Sequence, residues 1–329
     1  MAEVSVVIPI RDGGQRLERV LAALARQTVA HELIVCDSGS SDASVERARA
    51  AGARVIRIPA QAFNHGATRN LLVGEASGER VALLTQDAEP ADERWLERLV
   101  AGLDLAPDVA LAFGPYRPRP ESSLAVRMEL ESWFASLSPN GRPMIERLDP
   151  QDRLAPASAL VGRRGFFTDA NAALLRASWE RVPFREIPYA EDRALALDML
   201  RAGYAKAYVP GAAVVHSHEY TTVQQLRRCF DEWRGLREVY GWREPMAPRR
   251  LAGQLRGALR LADDELAARS CSRVQRAATS VAVTRHHVAR LAGATLGSRA
   301  DRLPAELRRR LSLEGRASFE PLAQPEVTT

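Results

Sequence analysis

Asp87 stands at the end of an apolar run, in Leu83-Leu84-Thr85-Gln86-Asp87-Ala88-Glu89-Pro90. A carboxylate so placed is a natural partner for Mg2+ or Mn2+, which favour oxygen ligands and commonly bridge to substrate phosphates; as a structural residue it would only start the turn before Pro90. His216 and His218 close another apolar run with Ser217 between them. Strand alternation would put both imidazoles on one face, and imidazole ligates Mn2+ as well, although a satisfied polar group is the commoner fate of such a histidine. Glu191 and Asp192 are adjacent acids at a helix start, where the helix dipole favours negative charge and where a general base for a hydroxyl could equally stand. Asp37 ends a third apolar run and leads into Ser38-Gly39-Ser40-Ser41-Asp42. That segment reads either as a turn with Ser41 or Asp42 capping the next helix, or as a carboxylate that hydrogen-bonds a base or ribose.

Residues so scattered need a frame that gathers strand ends. The first hundred residues alternate short β-branched runs with helical patterns: strands over 4–10, 32–36, 54–58 and 80–85, and helices over 15–26, 44–51 and 67–76. Continuous apolar strands separated by helices mean βαβ units and a mostly parallel sheet with helices on both faces. Ligands of such sheets sit beyond the carboxyl ends of the strands, so the groups following each strand should converge on one cleft. No Gly-x-Gly-x-x-Gly follows the first strand, which removes the dinucleotide-binding fingerprint. Further on, the pattern predicts a strand over 110–115, a helix over 121–137, a loop over 139–157, a helical stretch that follows Asn171 and runs to Trp179, a helix opened by Glu191, and one strand over 207–215. Past Thr221 it is helical nearly to the end, with Leu251, Leu255 and Leu259 at i, i+4 and i+8.

At 329 residues, 26% charged and 46% hydrophobic, the chain is globular in composition, neither disordered nor a disulfide framework. The formal charge of +5 is uneven: residues 220–329 carry 20 arginines against 12 acids, a net +8, which leaves −3 for residues 1–219. Lys206 is the only lysine. Cys36, Cys229 and Cys271 show neither pairing nor metal spacing, as expected of a reducing cytoplasm. The start of the chain has no signal-peptide pattern, and the best apolar window, Val281 to Leu296, is broken by Arg285, His286, His287 and Arg290, so membrane contact is expected to be peripheral.

Taken in order, Val6-Val7-Ile8-Pro9, Cys36 to Asp42, Arg69-Asn70, Asp87, Asn171 and Glu191-Asp192 resemble the GT-A fold, family 2 glycosyltransferases, over Val4 to about His218. Phe63 to Asn70, Thr85 to Ala88 and His216-Ser217-His218 look like the branch described as rhamnosyltransferases, which use a dTDP-sugar. The resemblance implies a GT-A catalytic domain over 1–220, an arginine-rich helical extension over 221–329, and inverting transfer of a sugar from a nucleotide diphosphate to a hydroxyl of a glycan or lipid-linked acceptor in cell-surface polysaccharide assembly. Carried over by position, Pro9, Ile10, Arg11 and Asp12 would line the nucleotide pocket, Asp37 beside Ser38 would bond the base, and His65, Gly66 and Arg69 would meet base or diphosphate. Gln86 joins the substrate-binding set. Asp87 would hold a divalent cation, Mn2+ or Mg2+, with His216 or His218 as a further ligand. Asp192 would be the base, Glu191 its neighbour on acceptor or donor, and Asn171 would lie near the transferred sugar.

Thr85 departs from the wider family, where the first carboxylate of an Asp-x-Asp pair usually stands; one aspartate with histidine help leans toward Mn2+. The Gly66 to Arg69 spacing is also tighter than in the wider family. In the extension, Trp233, Tyr240 and Trp242 beside Arg227, Arg228, Arg234 and Arg237 suggest either a surface for anionic lipid, holding a cytoplasmic enzyme at the membrane, or a helical cap packed on the domain. No nucleic-acid motif accompanies the arginines. The competing function is a nucleotide-sugar-binding scaffold without catalysis, which the presence of Asp192 disfavours.

Overall fold

In strand β1 (Val4–Ile10), Val6, Val7 and Ile8 have no solvent exposure, as a strand covered on both faces requires. A computed structural model describes residues 3–246, 248–268 and 272–316. They fall into two compact units, one of residues 3–117 with 133–216, the other of 118–132 with 217–316.

In the first unit β1 pairs in parallel with β2 (Glu32–Asp37) and β4 (Arg80–Leu84), and β2 with β3 (Arg54–Arg57). Two short strands, β5 (Glu89–Pro90) and β7 (Tyr116–Arg117), flank β6 (Val109–Phe113) in sequence. After β8 (Met144–Glu146), β9 (Asn171–Leu175) and β10 (Ala205–Tyr208), the chain turns into β11 (Val214–Val215). The main sheet has the order β3-β2-β1-β4-β9-β6-β10-β8, and a small sheet the order β5-β11-β7. β9 runs antiparallel to both β4 and β6, and β8 antiparallel to β10; the rest of the main sheet is parallel.

Helices α1 (Gly14–Leu24), α2 (Ser44–Ala50), α3 (His65–Gly74) and α4 (Trp95–Ala101) lie between the strands. α1 buries Leu17, Val20, Leu21 and Leu24, the apolar stripe its sequence predicts. α5 (Leu124–Leu137), α6 (Pro150–Arg153), α7 (Arg176–Arg181) and α8 (Glu191–Arg201) follow.

Three expectations are corrected. Asn171 to Leu175 form a strand rather than a helix, because Asn-Ala-Ala-Leu-Leu fits antiparallel between β4 and β6 and only Arg176 starts a helix. The predicted loop over 139–157 contains β8 and α6. The predicted strand 207–215 is two: β10 ends at Tyr208 and a turn closed by Ala212 N–H to Val209 O, through Pro210 and Gly211, precedes β11. His216 and His218 therefore follow a two-residue strand instead of extending a long one.

The second unit is helical: α9 (Thr222–Tyr240), α10 (Pro248–Ala268), α11 (Arg273–Gly297) and α12 (Ala305–Leu311). Capping boxes start α9 (Thr221 with Gln224) and α11 (Ser272 with Gln275). Gly293 and Gly297 let α11 approach α9 closely: a Cβ there would lie 2.3 Å from Leu226 O and 2.2 Å from Phe230 O. Trp233, Arg234 and Tyr240 are buried, Trp233 among Cys229, Ala294, Leu236 and Trp242 of the same unit, so this stretch offers lipid little of the aromatic surface its composition suggests. Burial alone would raise Glu129, but the hydrogen bond to His286 (2.7 Å) and the charge of Arg290 (2.8 Å) hold it at about 2. Cys36 and Cys229 are buried thiols outside any disulfide; Cys271 lies outside the described residues. Among the described residues no helix is long and apolar enough to cross a membrane.

Candidate active site

The strand order reverses between β1 and β4, and a crevice at such a switch point is where open α/β sheets bind ligands. The loops leaving those strands are tied together there: Arg11 N–H donates to Gln86 Oε1 at 2.8 Å, and Gln86 Nε2 donates to Arg11 O at 3.0 Å. Asp12 adopts φ +47°, costly for a residue with a Cβ. Its carboxylate accepts from Ser41 N (2.7 Å) and Ser41 Oγ (3.0 Å), bonds that hold its pKa below the ordinary value. Gly13 N–H and Gly14 N–H donate to Ser44 Oγ (2.8 Å) and Asp42 Oδ2 (3.0 Å). Thus the hydroxyl-rich run after β2 serves chiefly to hold the loop after β1. The cap position of α2 is Ala43, without a side-chain cap bond, and neither Ser41 nor Asp42 occupies it. Pro9 and Ile10 end β1, and Ile10 O accepts from Ser38 N (3.1 Å) and Ser38 Oγ (3.3 Å). Asp37, 3% exposed, accepts from Ser40 N at 3.0 Å.

The small sheet assembles a second station. β5 begins two residues after Asp87, β11 ends one residue before His216, and β7 starts with Tyr116, so pairing β5-β11-β7 brings the three together. His216 Nδ1 lies 3.5 Å from Asp87 Oδ1, and Arg16 Nη1 lies 3.7 Å from Asp87 Oδ2. The Tyr116 ring meets His216 edge-on at 4.8 Å, and its hydroxyl bonds Thr168 Oγ1. Burial drives the Tyr116 pKa up, and the charges of Asp192 and Asp169 add to the shift. Thr85 Oγ1 is buried and has no hydrogen-bond partner among the described residues. His218 follows His216 by two residues and is half-buried.

The third station is the start of α8. Ala190, at φ +64°, turns the chain so that Glu191 and Asp192 open the helix; with Asp12 it is one of two non-glycine residues at positive φ among those described, and both flank the crevice. Glu191 is 6% exposed, and burial pushes its pKa well above the carboxylate range; His65, 3.8 Å away, opposes the shift, while Asp169 and Asp192 reinforce it. Asp192 is less enclosed and accepts from Arg193 N at 2.6 Å. His65 is the first residue of α3 and stacks edge-on with Phe63. Gly66 permits the 182–187 loop to reach α3, because a Cβ would stand 2.0 Å from Arg185 O.

Arg69 is 3% exposed, and its guanidinium is committed to protein: Nε to Asp169 Oδ2 (2.7 Å), Nη2 to Asp169 O (3.0 Å) and Nη1 to Leu84 O (3.0 Å). In this arrangement it positions Asp169. Asn171 is wholly buried, accepting from Trp95 Nε1 (2.8 Å) and donating to Ala212 O (2.9 Å) and Pro115 O (3.2 Å). It therefore ties the strand ends that carry Tyr116 and His216. Sequence reasoning missed Tyr116, Thr168 and Asp169; the only signal was that Thr168 and Asp169 stand just before Ala170-Asn171, between Phe167 and an apolar run.

A sheet of this order, with acids, imidazoles and a tyrosine gathered past its strand ends, is that of a GT-A type enzyme. The family model described as Glycosyl transferase family 2 matches residues 5–168. The O-antigen chain rhamnosyltransferase RfbN of Salmonella typhimurium is 31% identical over 233 residues, covering 70% of this chain and 71% of that protein. WbaN of Salmonella anatum, of the same description, is 29% identical with the same coverage, 70% and 71%. The solved mannosyltransferase PcManGT of Pyrobaculum calidifontis shares the fold with a TM-score of 0.57 at 16% identity, covering 90% of this chain and 87% of that one. The chain belongs to glycosyltransferase family 2.

Proposed function

We propose that this glycosyltransferase moves rhamnose from dTDP-rhamnose, with inversion, to a hydroxyl of a glycan or lipid-linked acceptor in cell-surface polysaccharide assembly. Residues 1–220 would form the catalytic domain and 221–329 an extension to it. The two relatives described as O-antigen chain rhamnosyltransferases support the donor and the pathway class. The observation that carries the mechanism is the placement of Tyr116, whose ring meets His216 edge-on and whose ionisation is opposed by the charge of Asp192. It links a cation-type station, Asp87 with His216, to a base-type station, Glu191 with Asp192.

Asp192 takes the proton of the acceptor hydroxyl as that oxygen bonds the anomeric carbon and the bond to the diphosphate oxygen breaks. Glu191, whose pKa burial raises, stands beside it at the start of α8 with His65 3.8 Å away. Asp87 offers an oxygen and His216 a nitrogen 3.5 Å from it, with His218 two residues on as a further imidazole, an oxygen and nitrogen set that suits Mn2+ better than Mg2+. A cation held there supplies charge neutralisation for the departing nucleoside diphosphate; the mannosyltransferase of the same fold was solved with GDP-Man and Mn2+. Arg69 keeps Asp169 in place beside Glu191.

The test is release of nucleoside diphosphate from a panel of nucleotide sugars, with Mn2+ and an extract of glycan acceptors. Turnover fastest with dTDP-rhamnose supports the reading. Nucleotide binding without turnover of any donor would instead mark a scaffold protein.

A further inference from the structure

Lys206, on β10, is the only lysine in a chain rich in arginine, and it is 3% exposed. Burying an ammonium is costly unless its protons find acceptors, so its place needs a cause. Its cross-strand neighbour on β8, Glu146, gives its carboxylate to Arg164 at 3.0 Å. Lys206 Nζ donates instead to two main-chain carbonyls, Phe166 O at 2.8 Å and Arg163 O at 3.4 Å, and lies 5.4 Å from the centre of the Phe113 ring. A lysine ammonium is a compact charge with three donors, whereas a guanidinium spreads five donors over a planar fork. In a chain that uses arginine everywhere else, lysine here marks a place that takes the smaller cation.

The two carbonyls belong to a turn that Phe166 N–H closes on Arg163 O at 3.2 Å. That turn runs on through Phe167 into Thr168, which bonds Tyr116, and Asp169, which Arg69 holds. It also meets α8: the Arg193 guanidinium lies over the Phe166 ring, 4.3 Å from its centroid, a cation–π contact. Arg193 follows Asp192 in the first turn of α8. A line of contact thus runs from the Lys206 ammonium through the main chain and ring of Phe166 to Arg193 and the helix start that carries Asp192.

We propose that Lys206 is a positioning residue that fixes Asp192 through the 163–166 turn and the contact of Phe166 with Arg193. The inference rests on the reading of Asp192 as the base. Around Nζ the charged groups are Glu146 of β8 and Arg193 of α8, while β6 contributes the Phe113 ring. Burial lowers the ammonium's pKa to about 7; Glu146 opposes the shift and Arg193 adds to it. As pH rises through that value the amine loses its charge and its bonds to the carbonyls lose their charge assistance. The hold on Asp192 is therefore firmest below neutrality.

Because the chain has a single lysine, lysine labelled with carbon-13 at Cε gives a single side-chain NMR signal, and its titration reports this group directly. Lys206→Met keeps the stem and removes the ammonium. At pH 6, transfer from the best donor at saturating substrates should be about 10- to 100-fold slower in this variant, the scale of a displaced reacting group. Its affinity for the nucleoside diphosphate, measured by calorimetry, should stay within about twofold of the parent's. The ratio of parent to variant rate should shrink as pH rises across the interval in which the Lys206 signal titrates; the ratio cancels the titration of Glu191, which both proteins share. Phe166→Leu keeps the held carbonyl and removes the ring under Arg193. It should slow transfer to a like extent while the Lys206 signal titrates as in the parent, and it carries the test if Lys206→Met does not fold. A ratio near one, a ratio level across the titration, or Phe166→Leu transfer at the parent's rate would overturn the proposal and leave Asp192 as the base. Parent-like transfer by Asp192→Asn would overturn both.

Discussion

Replacing Arg69 by Met should unfold much of the protein's margin of stability. The guanidinium is 3% exposed and makes three hydrogen bonds, of which the 2.7 Å contact to Asp169 is charge-assisted. Met fills most of the volume but leaves the Asp169 side chain, 11% exposed, with no cation. Breaking a buried pair by removing one partner costs about 3–5 kcal/mol, and the orphaned Leu84 carbonyl adds about 1–3 kcal/mol. A loss of at least ~3 kcal/mol is therefore expected in urea unfolding of the first unit's transition. Arg69→Met with Asp169→Leu removes the stranded charge and should recover a large part of that loss. A stability change under about 1 kcal/mol, with dTDP affinity falling instead, would refute the positioning role and make Arg69 a ligand contact.

Gly66→Ala should destabilise by about 1–3 kcal/mol on thermal or urea unfolding, because the added Cβ stands 2.0 Å from Arg185 O and the loop must move. Glu191 has a folded pKa raised above its unfolded value, so the unfolded chain releases its proton first and the native state loses stability as pH rises above about 4.5. Glu191→Gln removes that penalty, and its stability relative to the parent should improve from pH 5 to pH 8.5 in urea titrations; an unchanged difference contradicts the buried, protonated acid. Asp87→Ala should abolish the Mn2+-dependent part of nucleotide affinity, measured by calorimetry with and without the metal, and a retained Mn2+ dependence would place the cation elsewhere.

The half of the sheet that holds the crevice was legible because burial on both faces writes itself into sequence as unbroken apolar runs: β1, β2 and β4 lie where Val4 to Ile10, Glu32 to Cys36 and Arg80 to Thr85 predict them. β9 was not, because Ala and Leu suit a helix as well as a strand, and only pairing with β4 and β6 decides. The acids were visible one at a time, since each follows a strand or opens a helix. What joined them was not. Arg69 meets Asp169 across 100 residues of sequence, and Tyr116 meets Thr168 across 52, through contacts that no local pattern encodes. Asn171 shows the same limit in reverse: it stands where the family resemblance places a sugar contact, yet its amide is taken up by Trp95, Pro115 and Ala212.

We propose Asp192 as the base opposite a leaving group held at Asp87 and His216. Single-turnover transfer by Asp192→Asn, with dTDP affinity measured on the same protein, addresses it most directly. Loss of a general base is expected to slow transfer by about 10²–10⁴-fold, with nucleotide affinity within about twofold of the parent's. Transfer at the parent's rate, or a loss of affinity as large as the loss of rate, would show that Asp192 is not the base.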